Sequence, residues 1–487
     1  MRQARLIIRD EVNVKIEGLE LDVRRALVNK FKYDVPYARY LPAVRLGRWD
    51  GKVAFVQLGG STYVNLLPEI IPMLEASNYD IELDDQREYR TTFEFDPVQE
   101  DSFAGIKWPP GHPNAGNAIM LRDYQVEIIN DFLANPQCIQ EVATGAGKTI
   151  MTATLSHSVT PYGRSIVIVP NKSLVTQTEK DYINMGLDAG VFFGDRKEFG
   201  RQHTICTWQS LNVLLKNTKN DTADITIGEF LEDVVCVIVD EVHMAKADAL
   251  KTLLTGVMSQ VPIRWGLTGT IPKEDFEFQA IHVSLGPVIS RLAAAELQDR
   301  GVLAQCHVNI VQLVDHAEYS NYQSELKYLL EVSGRLDTIA SVISEVNRTG
   351  NTLVLVDRIS AGQELVSRLG DRAVFVSGAT KAQDRQDEYD AVAESTDKII
   401  VATYGVAAVG INIPRIFNLV LIEPGKSFVR VIQSIGRGIR KAEDKDFVQI
   451  WDITSTCRFA KRHLTKRKQF YKEAKYNFSH ERLEWQT

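Results

Sequence analysis

The chain has 487 residues, 24% of them charged and 44% hydrophobic, with a formal net charge of −7. That length exceeds one ordinary core and predicts about three domains, while the acidic balance argues against a uniformly basic nucleic-acid coat but says nothing of local grooves. Five scattered cysteines without a CxxC pair argue against a zinc or disulfide framework and fit a reducing cytoplasm. No apolar run is long enough to span a membrane or serve as a secretory signal.

Residues 1–95 alternate strand-like runs (Leu6 to Ile8, Val12 to Ile16, Val53 to Leu58) with a helical stretch from Leu19 to Phe31. A small α+β accessory domain that binds DNA is the expectation there. Residues 96–117 are rich in Pro and Gly, notably Pro109-Pro110-Gly111-His112-Pro113, and read as a linker. From 118 onward β-branched apolar runs alternate with helical ones: Ile139 to Val142, Ser165 to Val169, Thr204 to Thr207, Val234 to Val239 and Trp265 to Leu267. The pattern restarts at Asn351 to Val356 and continues through Ala373 to Val376, Lys398 to Ala402, Leu419 to Ile422 and Val448 to Trp451. Such runs predict buried parallel strands, hence an α/β fold of two tandem blocks, 118–303 and 304–456. A basic helical tail, 457–487, follows.

The first block contains Val142-Ala143-Thr144-Gly145-Ala146-Gly147-Lys148-Thr149. Glycines between a strand and a helix let backbone N–H groups close on phosphate oxygens, and the helix adds its positive end. Lys148 reaches the β- and γ-phosphates in this reading, and the Thr149 hydroxyl holds Mg²⁺. The general pattern wants glycine where Val142 stands. About ninety residues later, Asp240-Glu241-Val242-His243 follows an apolar strand. A strand end delivers both carboxylates to the open edge of the sheet, Asp240 to Mg²⁺ and Glu241 to the attacking water. Upstream, Gln125 in Leu121-Arg122-Asp123-Tyr124-Gln125 offers an amide that can read an adenine edge, although alone this is an ordinary helix start. Gln433 to Arg440 brings Arg437 and Arg440 one turn apart on a helix; in isolation these belong to a solvated basic face.

Taken in order, these segments resemble the motifs of superfamily 2 helicases. Arg122 to Gln125 resembles the adenine motif and Val142 to Thr149 motif I. Asp240 to His243 resembles motif II, and Leu267-Thr268-Gly269-Thr270 motif III. Thr403 to Pro414 and Gln433 to Arg440 resemble motifs V and VI. The resemblance implies two RecA-like lobes, with His243, Thr268 and Thr270 coupling hydrolysis to movement. It implies Gly410, Asn412 and Gln433 at the nucleotide and Arg437 and Arg440 at the γ-phosphate, Arg440 being the finger. Asn412 replaces the usual aspartate, which puts its ribose contact in doubt. A narrower similarity, to the UvsW-type helicases of tailed bacteriophages, rests on Leu46 to Lys52, Thr403 to Val406 and Val448 to Asp452. It implies action on branched DNA by a monomer in the bacterial host cytoplasm, beside phage replication and recombination proteins.

Candidate contacts to a nucleic-acid strand lie in loops after strands: Pro170, Asn171, Lys172 and Gln177, then Thr207, Gln209 and Ser210. In the second block they are Arg358, Gly378 and Thr403. For each alone, a helix cap is an equal alternative. In the first 95 residues cations interleave with aromatics, with Arg48 and Trp49 the leading contacts, and Lys461 to Lys468 could hold duplex ahead of a motor. The expectation is an ATP- and Mg²⁺-dependent DNA helicase or branch-migrating enzyme in replication, recombination or repair. A double-strand translocase that leaves strands paired, an ATP-gated clamp, and RNA as substrate stay open.

Overall fold

In the computed structural model the described residues are 2–88, 93–110, 112, 114–244, 247–378, 380, 388–389, 391–392, 394–408, 415–427, 431, 434–436 and 444–485. The chain divides into two compact units, Met1–Arg291 without Ala143–Ala146, and Leu292–Thr487 with those four residues.

The first unit begins with a four-stranded sheet in the order Ser61–Tyr63, Asn13–Glu17, Arg2–Ile8, Tyr79–Asp85. Arg2–Ile8 pairs antiparallel with Asn13–Glu17 and parallel with Tyr79–Asp85. The helices Leu21–Lys30 and Leu67–Ala76 contribute Leu27, Leu67, Ile70 and Leu74 to its buried core. The expected strand from Val53 is shorter: only Lys52–Ala54 pairs, with Lys32–Asp34, and the chain then bends so that Phe55 and Val56 enter the core. That core does not stop at residue 95. Phe276, Ala280 and Val283, on the helix Asp275–Leu285, belong to it, and Phe55 lies 6.0 Å from the Phe276 ring.

The segment expected as a linker contains no helix or strand among its described residues, yet it is packed. Val98 exchanges hydrogen bonds with the Asn130 amide, at 2.8 and 3.0 Å, and Phe103 and Trp108 are buried.

An eight-stranded sheet forms the rest of this unit, in the order Arg196–Lys197, Ala189–Phe193, His203–Thr207, Arg164–Val169, Val234–Asp240, Ile263–Thr268, Gln137–Val142, Val288–Leu292. Neighbours from Ala189–Phe193 through Gln137–Val142 are parallel. These strands are almost wholly buried on both faces, including polar members such as Gln140, Thr204 and Arg264, which excludes the alternating burial of a half-solvated sheet. The registers Thr207↔Val169, Val239↔Ile168 and Asp240↔Leu267 align the carboxyl ends of four strands along one edge.

The second unit is built on a seven-stranded, all-parallel sheet: Ala373–Val376, Ile399–Thr403, Thr352–Val356, Asn418–Ile422, Phe447–Ser455, Gln305–Leu313, Asn477–Leu483. The basic tail is helical over Arg458–Glu473, and the chain then returns as the strand Asn477–Leu483 beside Gln305–Leu313. Arg467 is no surface cation. It is fully buried, gripping both oxygens of Asp452 at 2.8 and 2.9 Å and donating to the Gly425 carbonyl. A duplex grip from that run is therefore left to its exposed cations, Lys461, Arg462 and Lys466, and the half-buried Lys468. No described helix is long and apolar enough to cross a membrane.

Candidate nucleotide site and nucleic-acid track

The strand Gln137–Val142 leads through the glycine-rich loop to the helix Lys148–Val159. Gly145 and Gly147 have φ of +94° and +84°, a region costly to any residue with a Cβ. A Cβ on Gly147 would also stand 2.6 Å from the Gln125 amide nitrogen, so the loop lies directly against that side chain. Gln125 in turn accepts from the Arg122 backbone N–H at 2.9 Å and caps the helix Asp123–Ala134, while the Arg122 guanidinium donates to the Tyr124 hydroxyl at 3.0 Å. Gln125 is thus both part of an ordinary helix start and a neighbour of the loop.

Lys148 is 9% exposed, and its ammonium lies 2.9 Å from Glu241 Oε1 and 3.3 Å from the Val142 carbonyl. Glu241 begins the turn after Val234–Asp240 with a left-handed φ of +50°. Its backbone N–H donates to Asp240 Oδ1 at 2.9 Å, and its Oε2 accepts from the Gly269 N–H at 3.3 Å. Burial pushes the Asp240 carboxyl up, the adjacent Glu241 charge adds to this, and Lys148 opposes it. Burial acts the same way on Glu241, but Lys148, His243 and the Lys148 and Gly269 hydrogen bonds outweigh it and hold that carboxyl low. A neutral-leaning acid and an ionised one stand side by side, the division expected where two carboxylates take different roles.

Thr149, half-buried, and Asp240 offer two oxygen side chains, and no cluster of three His, Cys, Asp or Glu suited to a metal occurs among the described residues. That donor set fits Mg²⁺, which keeps waters and shares substrate phosphates, rather than a cation in an all-protein cage. His243 Nδ1 is 2.6 Å from the Thr268 hydroxyl and 3.6 Å from Glu241 Oε2. Burial lowers its pKa to about 4, so the ring is neutral near pH 7. Thr268 Oγ1 donates to the Thr270 carbonyl at 2.7 Å. A continuous chain of contacts therefore runs from Lys148 through Glu241 and His243 to the loop after Ile263–Thr268.

Along the same strand ends lie the expected track residues of the first unit. The Asn171 side chain caps the helix Lys172–Asn184, accepting from Leu174 N–H at 3.0 Å; its buried Nδ2 has no partner among the described residues. Thr207, which caps Trp208–Lys219, lies 2.9 Å from the Ser210 hydroxyl, while Lys172, Gln177 and Gln209 are exposed and Pro170 is half-buried. In the second unit Arg358 pairs with Glu331 at 3.2 Å, Gly378 is exposed and Thr403 half-buried at a strand end. Arg48 is exposed, whereas Trp49 is half-buried with its indole N–H on the Lys52 carbonyl at 2.8 Å. Gly410, Asn412, Gln433, Arg437 and Arg440 lie outside the described residues. Sequence reading missed Arg335 and Arg467, whose acidic partners are distant along the chain and carry no local signal.

Two parallel-sheet lobes and a glycine-loop lysine beside a strand-end Asp-Glu pair define a nucleotide-driven motor. Family models agree: "Type III restriction enzyme, res subunit" matches residues 118–273 and "Helicase conserved C-terminal domain" matches 334–442. The chain belongs to the superfamily 2 helicases, with tandem RecA-like lobes, and is an ATP-dependent DNA helicase. It is similar to the ATP-dependent DNA helicase uvsW of Enterobacteria phage T4, 23% identical over 88% of this chain and 86% of that one. The DNA 3'-5' helicase XPB of Mycobacterium tuberculosis is 23% identical over 74% of this chain and 65% of that one. A solved fragment assigned to an HsdR subunit of a type I restriction enzyme from Vibrio vulnificus YJ016 has the same fold, with a TM-score of 0.56 at 16% identity. It covers 97% of this chain and 85% of that one.

Proposed function

We propose that this helicase unwinds or branch-migrates forked and junction DNA during replication, recombination or repair. The observation that carries the reading is the Lys148–Glu241 pair at 2.9 Å, a cation and a carboxylate within reach of one bound phosphate. ATP displaces Glu241 from Lys148, which turns to the β- and γ-phosphates. Glu241, freed and ionised, orients the attacking water. Gln125 reads the adenine. Thr149 and Asp240 would hold Mg²⁺, which would supply charge neutralisation at the phosphates. Arg437 and Arg440 stabilise the transferring group, Arg440 as the finger. His243, Thr268 and Thr270 relay the change to the strand-end loops carrying Lys172, Gln177 and Gln209, which hold the DNA backbone. Similarity to the phage helicase across most of both chains supports a DNA substrate, the resemblance to UvsW-type helicases implies a branched one, and the name of the XPB relative supports 3′ to 5′ movement.

The test is ATPase stimulation and strand displacement measured side by side on single-stranded DNA, plain duplex, forked DNA, a four-way junction and RNA at one salt concentration. Forks and junctions should give the highest turnover and release a strand. The restriction-subunit match favours a second reading, translocation on duplex without separation. Triplex displacement from plain duplex, with no strand released from a fork, would establish that one instead.

A further inference from the structure

Four large apolar side chains stand exposed within ten residues of the N-terminal sheet domain: Tyr37 at 77%, Tyr40 at 54%, Leu41 at 47% and Leu46 at 63%. Single exposed apolar residues are ordinary; a run of them is not. They sit on one loop, 35–51, that closes the two-stranded ribbon of Lys32–Asp34 and Lys52–Ala54.

This loop is tied together from within. Val35 N–H donates to the Gly51 carbonyl at 2.9 Å, Arg48 N–H to the Ala43 carbonyl at 2.8 Å, and the Trp49 indole to Lys52. Gly51, at φ +78°, leaves room for Ala38: a Cβ there would meet the Ala38 methyl at 3.1 Å. Tyr37 itself holds a left-handed φ of +66°, unusual for an aromatic residue. At its base the ribbon is anchored in the motor lobe. Tyr33 packs on Phe55 at 5.8 Å, and Phe55 packs on Phe276. A rigid element thus projects apolar side chains into solvent from a root in the ATP-binding unit.

Its charge says what covers it. In a chain of net −7, the loop carries Arg39, Arg45 and Arg48, all exposed and none ion-paired to another described residue. The nearby acids are already used: Asp50 pairs with Lys32 at 2.6 Å and Asp34 with Lys52 at 3.5 Å. Arg39 stacks over the Tyr40 ring at 4.8 Å. The Arg39 guanidinium also donates to the Tyr40 hydroxyl at 2.9 Å, and guanidiniums without a carboxylate partner beside exposed aromatics suit phosphates beside unstacked bases.

We propose that loop 35–51 is the strand-separating wedge: Tyr37, Tyr40, Leu41 and Leu46 abut the last base pair of a fork while the three arginines hold the parted backbones. The assignment rests on the fork-unwinding reading. Its test is a variant with Tyr37→Ser, Tyr40→Ser, Leu41→Ser and Leu46→Ser in the full chain, compared with wild type on a forked duplex. Fork unwinding should fall about tenfold or more, the scale of one or two missing base stacks. ATPase stimulated by single-stranded DNA, and triplex displacement from plain duplex, should stay within about twofold of wild type because neither needs a base pair opened. Unchanged fork unwinding overturns the wedge, as does a parallel loss of unwinding and single-strand ATPase. Loss of self-association in sedimentation with unwinding intact assigns the patch to a second copy of this chain and also overturns it. Wild type that turns over ATP on single strands but opens no fork removes the functional reading and the wedge together. Variant and wild type opening forks equally well remove only the wedge. A second variant, Arg39→Gln with Arg45→Gln and Arg48→Gln, should flatten the salt dependence of fork binding, its logarithmic slope falling by about 0.9 for each phosphate no longer neutralised. An unchanged slope removes the arginines' role.

Discussion

Glu241 and Glu423 occupy matching places in the two parallel sheets. Each directly follows an apolar strand, Val234–Asp240 and Asn418–Ile422, and each has a left-handed φ, +50° and +43°. Each faces a cation, Lys148 at 2.9 Å and Arg335 at 2.7 Å. The difference lies in what else the cation holds. Lys148 also donates to the Val142 carbonyl and sits at the mouth of the glycine loop. Arg335 has no solvent exposure and donates as well to Asp315 and to the Leu329 and Thr454 carbonyls. Asp315 is itself bound by Ser455, Tyr328 and Trp485. A strand-end carboxylate opposite a cation is therefore not in itself a reactive site. The lysine pair can be traded for a phosphate, whereas the arginine network is closed and serves the fold.

The largest effect that would break this contrast is on turnover. Lys148→Ala should lower ATP hydrolysis at least about a thousandfold, because it removes the cation that meets the phosphates. Steady-state ATPase on single-stranded DNA checks it, and near-normal turnover would sink the site assignment. Next comes stability in the second unit. Arg335→Met leaves Asp315 and Glu423 buried without their cation and should cost about 3–5 kcal/mol in urea unfolding. The variant's ATPase per folded molecule should stay close to wild type at low temperature. A near-neutral change in stability would mean the network is not closed.

The smallest effect concerns pH and sharpens the contrast. Burial holds His203 and His243, both in the first unit, at a pKa of about 4. An unfolded chain binds protons on them below about pH 6.5 and the folded one does not, so stability is full above 6.5 and is lost as pH falls toward 4. The loss should be roughly 1–2 kcal/mol per histidine at pH 5. The second unit has one comparable group among its described residues, the half-buried His463, also lowered to about 4 by burial. Urea midpoints at pH 7 and pH 5 measure the slope, and His203→Asn should reduce it. An unchanged slope in that variant would mean His203 is protonated in the folded chain.

Buried parallel strands are legible because contiguous β-branched runs such as Val234–Asp240 and Thr352–Val356 have no other economical reading. Gln305–Leu313 escapes that reading because polar residues interrupt it, and Asn477–Leu483 because an exposed edge strand needs no apolar run. Tyr79–Asp85 is equally hidden, with four acidic side chains along a solvated edge. The loop lysine and the strand-end acids are legible through spacing, and Lys148 and Glu241 do meet. Arg467 looks like one cation among many in a basic run, since nothing local marks Asp452, 15 residues upstream, as its partner. Asn171 and Thr207 illustrate a different limit: cap and strand contact use the same residue types, and only coordinates reveal that their side-chain oxygens already cap helices.

Phe276, Ala280 and Val283 lie in the interior of the N-terminal sheet domain although they belong to a helix of the ATP-binding unit. The opening segment is consequently no detachable cassette. Cutting the chain at residue 95 would leave an oily scar on the motor, and grafting the segment onto another motor would require those three side chains to travel with it.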